Sequence, residues 1–219
     1  MIPDWVAERS AMVETQLRRR GVRDERVLRA MLEIPREEFL PGAEGDPSRV
    51  MAYQDEPVSI GCGQTMSQPY ITALMAESLE LAGTETVLEV GAGCGYHAAV
   101  LGALAARVVT IEIIPTLAKL ARENLHRTRR DGNIQVVLGD GSLGHAELAP
   151  YDAISVAAGA PEIPATLLEQ LNDPGLLVIP VGERWDQELR VVSKRHGRID
   201  YRVATLCRFV PLRGGEGWG

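Results

Sequence analysis

The 219-residue chain has no apolar run near the ~18 consecutive residues that would cross a bilayer as a helix, so a membrane-spanning helix is excluded and no membrane partner is expected. It has only three cysteines, Cys62, Cys94 and Cys207, scattered and odd in number, and the opening MIPDWVAERS lacks the basic-then-apolar pattern of a secretion signal. A reducing, cytoplasmic setting is therefore expected. Positive charge is in deficit: 23 Lys and Arg stand against 30 Asp and Glu, a net −7 at pH 7, which offers no electrostatic footprint for a nucleic acid backbone. No nucleic-acid partner is expected. Internal repeats, disordered tracts and interdomain linkers are also missing, and the length fits a single domain with a full core, expected to act as a monomer.

A metal site is not expected either. Cys94 and His97 stand one helical turn apart, but nothing nearby supplies the other two ligands that zinc takes. His126, His145 and His196 fall on surface helix or loop positions. The arginines at 18–20 and at 127, 129 and 130 read as helix C-terminal charges favoured by the dipole.

What is present divides at Thr86. Before it, Trp5, Val6, Met12, Val13 and Leu17 recur at helical spacing between Asp4 as N-cap and Gly21 as stop. A second helix would start at Asp24, carry Val27, Leu28, Met31 and Leu32 on one face, and end before Pro35. Phe39 to Pro69 shows little period and reads as a long loop, a kind of segment that is often functional. A third helix would turn Ile71, Leu74, Met75, Ser78 and Leu79 inward and stop at Gly83.

After Thr86, short apolar runs at 86–90, 107–111, 134–138, 153–157 and 176–180 alternate with helical patterns. Continuous β-branched runs of this kind are strands covered on both faces. One helix has Pro115 at its start and Leu117, Leu120, Ala121 and Leu125 on one face, with Gly132 beyond its end; another starts at Pro164 and buries Leu167, Leu168 and Leu171. Alternating strand and helix predicts an α/β fold, a doubly wound, mostly parallel sheet of the Rossmann-like kind. Residues 188–193 and 199–206, with Gly197 in the turn between, predict an antiparallel hairpin at its edge. The expected organisation is one domain of three segments: a helical and loop extension over 1–83, an α/β core over 84–182, and a hairpin with a tail over 183–219.

Ligands of such sheets sit beyond the carboxyl ends of the strands. There, Glu89-Val90-Gly91-Ala92-Gly93-Cys94-Gly95 leaves the first run with the spacing G-x-G-x-G, which is not the dinucleotide G-x-G-x-x-G. Glu89 would repel a pyrophosphate, yet it suits a cationic ligand such as the ammonium and sulfonium of S-adenosylmethionine. Glu112, ending the second run, is placed to accept from both ribose hydroxyls, and Asp140 of Gly139-Asp140-Gly141 offers a carboxylate to the adenine amine. Each also has a plain role open to it, as a turn, a solvated strand end or a turn cap. Together, in order at three strand ends, they point to a nucleoside site and to methyl transfer.

The segment Ile60-Gly61-Cys62-Gly63-Gln64-Thr65-Met66-Ser67-Gln68-Pro69-Tyr70 resembles the signature loop of the protein-L-isoaspartate (D-aspartate) O-methyltransferases, which act on damaged aspartyl and asparaginyl sites. Further similarity runs through 87–96, 139–141, 149–154, 160–164, 178–182 and 209–212. The resemblance implies transfer of a methyl group from S-adenosylmethionine to the free carboxylate of L-isoaspartyl residues, with D-aspartyl residues as a second class, in damaged polypeptides. The ester then closes to a succinimide. It also implies that Ser67 is the active-site residue, and that Gln64, Thr65, Met66, Ser67, Thr72, Glu89, Gly91, Gly93, Gly95, Glu112, Asp140, Gly141 and Gln187 bind the cofactor. Ser67, Val210, Pro211 and Leu212 are implied to meet the polypeptide. Ser67 also stands where a serine serves as an N-cap. The chain departs from the family at Ile113, where a basic residue is frequent, at Cys94, which replaces a common serine, and at His97, where glutamine is frequent. Two other readings stay open: another S-adenosylmethionine enzyme with a small-molecule or different protein substrate, and a nucleoside-binding protein without activity. The tail from Gly214 onward reads either as frayed or as a lid.

Overall fold

The computed structural model describes residues 3–42 and 47–218. Helix α1 (Trp5–Met12) is capped by Asp4, whose carboxylate accepts from the N–H of Val6 and of Ala7 at 3.1 Å each. It continues through a π turn at Val13–Leu17 and a 3-10 turn at Arg18–Arg20, and stops at Gly21 in the left-handed conformation. The wider π turn rotates the inward face, so Met12, Val13 and Leu17 are buried while Val6, expected on that face, is 69% exposed. Asp24 caps α2 (Glu25–Glu33), which buries Val27, Leu28 and Met31 but leaves Leu32, also expected inside, exposed.

The segment expected to be a long loop is more ordered than that. It holds a 3-10 turn at Arg36–Phe39, a short helix α3 (Pro47–Val50), a 3-10 turn at Met51–Tyr53, and an antiparallel hairpin of β1 (Val58–Gly61) and β2 (Gln64–Met66). Helix α4 (Pro69–Ser78) ends well before the expected stop at Gly83, because Glu80 enters the left-handed region and delivers Leu81 into the core.

The main sheet follows with β3 (Thr86–Val90), β4 (Arg107–Glu112), β5 (Ile134–Leu138), β6 (Tyr151–Val156), β7 (Leu171–Glu183), β8 (Asp186–Arg195) and β9 (Arg198–Cys207). Its order is β5-β4-β3-β6-β7-β8-β9, parallel through β7 and antiparallel from β7 to β9. The crossovers are α5 (Tyr96–Gly102), α6 (Pro115–Arg127) and α7 (Ala165–Gln170). This is the doubly wound sheet read from the sequence. Two details differ. Leu171 opens β7 instead of closing α7, and β5 lies at the sheet edge with Leu138 exposed, so it is not covered on both faces. The β8–β9 turn is His196-Gly197, both at positive φ, the two-residue geometry whose twist matches a hairpin.

Successive strand residues face opposite sides, so Val87 and Val108 join one core cluster while Leu88 and Val109 join another. The first cluster takes in Met12, Leu17, Met31, Phe39, Met75 and Leu101, so residues 1–83 share a core with the sheet. Each such side chain fully buried contributes about 1.5–3 kcal/mol, which is what fixes the extension over one end of the sheet. The arginine clusters also bridge elements beyond their own helix ends: Arg18 pairs with Glu25 at 2.6 Å, and Arg127 with Glu38.

Candidate active site

At the carboxyl end of β3 the chain turns through Gly91–Gly95. The N–H of Gly91 and of Ala92 donate to Ile111 O at 2.8 and 3.2 Å, which pins the turn to β4. Gly95, at φ +88°, brings this backbone so close to α6 that a Cβ would stand 3.2 Å from Ala121 O. Beyond the turn, Glu112 is held by two donors: Gly93 N–H reaches Oε2 at 2.8 Å and Ile114 N–H reaches Oε1 at 3.0 Å. A carboxylate fixed by backbone N–H groups keeps its remaining lone pairs aimed, here into a cleft of about 820 Å³ of empty space counted together with open solvent.

Twelve of the residues expected at the site line this cleft: Gln64, Thr65, Met66, Ser67, Thr72, Gly91, Gly93, Glu112, Gly141, Val210, Pro211 and Leu212. Four do not. Gly95 acts behind it, as the helix contact just described. Glu89 lies beneath it, fully buried, with Thr110 Oγ1 donating to its Oε2 and His97 Nδ1 standing 4.0 Å from its Oε1. Burial pushes the Glu89 carboxyl up to about 8; the Thr110 bond opposes the shift and the nearby charge of Glu112 adds to it.

Asp140 is turned toward the tail. Its Oδ1 accepts from the N–H and the hydroxyl of Ser142 at 2.9 and 2.7 Å, and its Oδ2 accepts from Gly215 N–H at 2.8 Å, which holds the carboxyl below its ordinary range against the opposing effect of burial. Gln187 is a buried strut: its Nε2 donates to the carbonyls of Glu183 and Arg184, and its Oε1 accepts from Phe209 N–H at 2.7 Å. It therefore positions the 209–212 segment from behind. The tail is tied down, with Trp218 Nε1 donating to Gly159 O at 2.9 Å and Glu216 N–H to Ser142 Oγ at 3.0 Å.

A second cavity, of about 760 Å³ of empty space counted in the same way, adjoins the cleft, lined by Pro57, Gln68, Ile71, Leu206, Arg208 and Phe209 among others. Thr65, Ser67, Ala157 and Val210 line both. Ser67 therefore stands in the wall between two spaces. It is not the cap of α4, since that position belongs to Gln68, which makes no side-chain cap bond.

Behind this wall lies a residue that sequence reasoning missed. Arg36 is fully buried; its Nε donates to Ala52 O at 2.6 Å, its Nη2 donates to the carbonyl of Ser67, and its guanidinium faces the Tyr96 ring at 4.9 Å. A cation fixing the backbone of Ser67 leaves one trace in the sequence, an arginine directly after Ile34-Pro35 and between buried Ile34 and Phe39. His97, Ile113, Ala157 and Arg213 also line the cleft and were not assigned to the site. Among the described residues no group of three or more His, Cys, Asp and Glu is placed to hold a metal, and no helix is long and apolar enough to cross a membrane.

A parallel sheet with its glycine turn, aimed carboxylate and cleft at the strand ends defines the Rossmann-like methyltransferase class. Residues 7–217 match the family model described as protein-L-isoaspartate(D-aspartate) O-methyltransferase, and the chain belongs to that family. It is 52% identical over 212 residues to a protein-L-isoaspartate O-methyltransferase of Methanoculleus marisnigri, covering 96% of this chain and 94% of that one. A relative of the same name from Hyperthermus butylicus is 47% identical over 227 residues, covering 98% and 92%. Among solved structures, a putative protein-L-isoaspartate O-methyltransferase from Plasmodium falciparum in complex with S-adenosyl-L-homocysteine superposes with a TM-score of 0.79 at 27% identity, covering 94% and 98%. Another, named protein-L-isoaspartate O-methyltransferase, gives 0.80 at 31% identity; 95% of this chain aligns, spanning 66% of that one.

Proposed function

We propose that this chain is a protein repair enzyme that transfers the methyl group of S-adenosylmethionine to the free carboxylate of L-isoaspartyl residues, and of D-aspartyl residues as a second class, in damaged polypeptides. The cofactor, when bound, supplies an electrophilic methyl group. Its fit to the cleft is supported by Glu112, whose carboxylate is held by two N–H donors and keeps acceptor capacity for a diol, and by Gly91 and Gly93, which line the cleft with backbone alone. Gly141 supports the same fit: any Cβ there would fall 2.5 Å from Val90 Cγ1, so the floor is closed to side chains. Asp140 serves the adenine end through the tail it latches.

The acceptor needs no general base, because an α-carboxylate is ionised at neutral pH. The enzyme's task is alignment and exclusion of water. Ser67 donates a hydrogen bond that orients the carboxylate, and Arg36 keeps the loop in place from behind. The second cavity takes the chain around the isoaspartyl residue, with Val210, Pro211 and Leu212 along the passage. The single observation that carries this reading is the position of Ser67 in the wall shared by the two cavities.

Segments 1–83, 84–182 and 183–219 work as one domain, a reading supported by the core they share. A monomer in a reducing cytoplasm completes the proposal, the latter supported by three cysteines that pair with nothing. The test is base-labile methyl incorporation from labelled S-adenosylmethionine into a matched isoaspartyl and aspartyl peptide pair. Selective labelling of the first is expected. Labelling of neither, with the cofactor still bound, would leave the cofactor site standing and remove the substrate.

A further inference from the structure

The second cavity, which meets the cleft at Ser67, has walls almost without charge. Pro57, Ile71, Leu206, Phe209 and Val210 give it apolar surface, while Thr65, Ser67 and Gln68 add neutral polar groups. Among all its lining residues there is no Asp, Glu, Lys or His, and Arg208 is the one arginine. Residues 206–210 run along it in a single stretch, where β9, the edge strand of the sheet, passes into the segment that carries Val210. Leu206 is 78% exposed, the highest value for a large apolar side chain among the described residues, so uncovered apolar surface stands two residues from the cation.

Arg208 is tied at one atom and open at the others. Its Nε donates at 2.8 Å to the carbonyl of Trp185, in the turn between β7 and β8. Its Nη2 stands 3.6 Å from Asp186 Oδ1, with the two side chains 71% and 89% exposed. That separation is too long for a charge-assisted hydrogen bond, and an ion pair so open to water contributes little. A guanidinium has five N–H donors in a planar fork, and the hydrogen bonds of the described residues use one of them here.

We propose that Arg208 is a specificity-determining residue for the acceptor: it selects polypeptides with an acidic side chain close in sequence to the isoaspartyl residue and disfavours those with a basic one there. The proposal rests on the repair reading above, with the reacting carboxylate at Ser67. Ser67 and Arg208 line the same cavity, so a chain whose carboxylate meets the first carries its neighbours, ~3.3 Å apart along an extended backbone, past the second. An acidic neighbour finds a fork able to hold it by two parallel bonds, whereas a basic neighbour finds no carboxylate in the wall. The apolar walls displace water from part of the space between the charges, so each counts for more than it would on open surface. Asp186 competes for the same guanidinium and weakens the preference.

The test measures kcat/KM for methyl incorporation into isoaspartyl peptides that differ only by Glu, Ala or Lys at one position, scanned over the two positions on each side. The chain's net charge of −7 repels acidic peptides whatever Arg208 does, so the readout is the Glu-to-Lys ratio in the native chain divided by that in Arg208→Gln. At one scanned position or more this quotient should reach about three- to tenfold, carried by KM and not by kcat, and it should shrink in about 0.5 M salt. Arg208→Glu should invert the preference and Asp186→Asn should enlarge it. Thermal melts of the variants should match the native chain, because Arg208 is mostly in solvent; a merely structural role would lower all three peptides together and leave the ratio unmoved. A quotient near one at every position, or a preference that survives Arg208→Glu, would overturn the proposal while labelling of the Ala peptide leaves the repair reading standing. Failure of the native chain to label even the Ala peptide, with the cofactor bound, would overturn the repair reading and the proposal with it.

Discussion

The two halves of the site are built differently. The cofactor side is made where parallel strands end: Glu112 and the glycine turn are locked to one another by backbone bonds between β3 and β4, and the cradle exists before anything binds. The acceptor side is made by the β1–β2 hairpin and the residues that lead into α4, where Thr65 is exposed, Ser67 is half-buried and the anchor is one buried cation, Arg36. The first half has rigidity distributed over a sheet. The second concentrates it in a single side chain, so the two should respond very differently to substitution.

The largest expected effect is at that anchor. Arg36→Met leaves the carbonyls of Ala52 and Ser67 buried without donors, and should cost about 3 kcal/mol of stability. Turnover should fall with it. Chemical denaturation and steady-state kinetics check this, and a loss confined to stability would dissolve the contrast between the two halves. Next is Glu112→Gln on the preformed side. Losing a charged acceptor for the ribose hydroxyls should weaken cofactor binding by about 2 kcal/mol, roughly thirtyfold, with little change in folding, as equilibrium binding and thermal melts would read.

A third prediction concerns the buried acid. Because the folded chain holds Glu89 protonated up to about 8 while the unfolded chain releases that proton in the ordinary carboxyl range, the native state binds more protons between those values. This group therefore makes stability fall with rising pH in that window, by up to about 1.4 kcal/mol per pH unit, and Glu89→Gln should remove that slope. Denaturation midpoints from pH 5 to 8 read it directly. The smallest effect is expected at the tail: Trp218→Ala loses one hydrogen bond to Gly159 O and the contact with Arg184, about 1 kcal/mol, with turnover altered far less than in Arg36→Met.

The same contrast explains what could be read from the sequence. The strands and the Gly91–Gly95 turn were legible because buried parallel strands leave continuous β-branched runs, and because glycine spacing marks a place where backbone must approach a ligand. The hairpin Val58–Met66 was hidden, since seven strand residues around Gly61-Cys62-Gly63 leave no period to detect. Asp140 and Gln187 mark another limit. A carboxylate or amide at a strand end reads the same whether it faces a ligand or, as here, bonds to Gly215 and Phe209. Arg36 was missed because its partners are carbonyls brought near by folding, at 16 and 31 residues' separation, and no motif records them. The π turn that turned Val6 outward is likewise invisible to a pattern that assumes one helical period.

The most direct test of the account is to measure, side by side in Ser67→Ala, the dissociation constant for S-adenosylmethionine and kcat/KM for an isoaspartyl peptide. If Ser67 stands between two spaces and orients the carboxylate with a charge-assisted bond, kcat/KM should fall by about ten- to a hundredfold while the dissociation constant moves by no more than about twofold. Near-normal turnover, or an equal loss in both quantities, would contradict it.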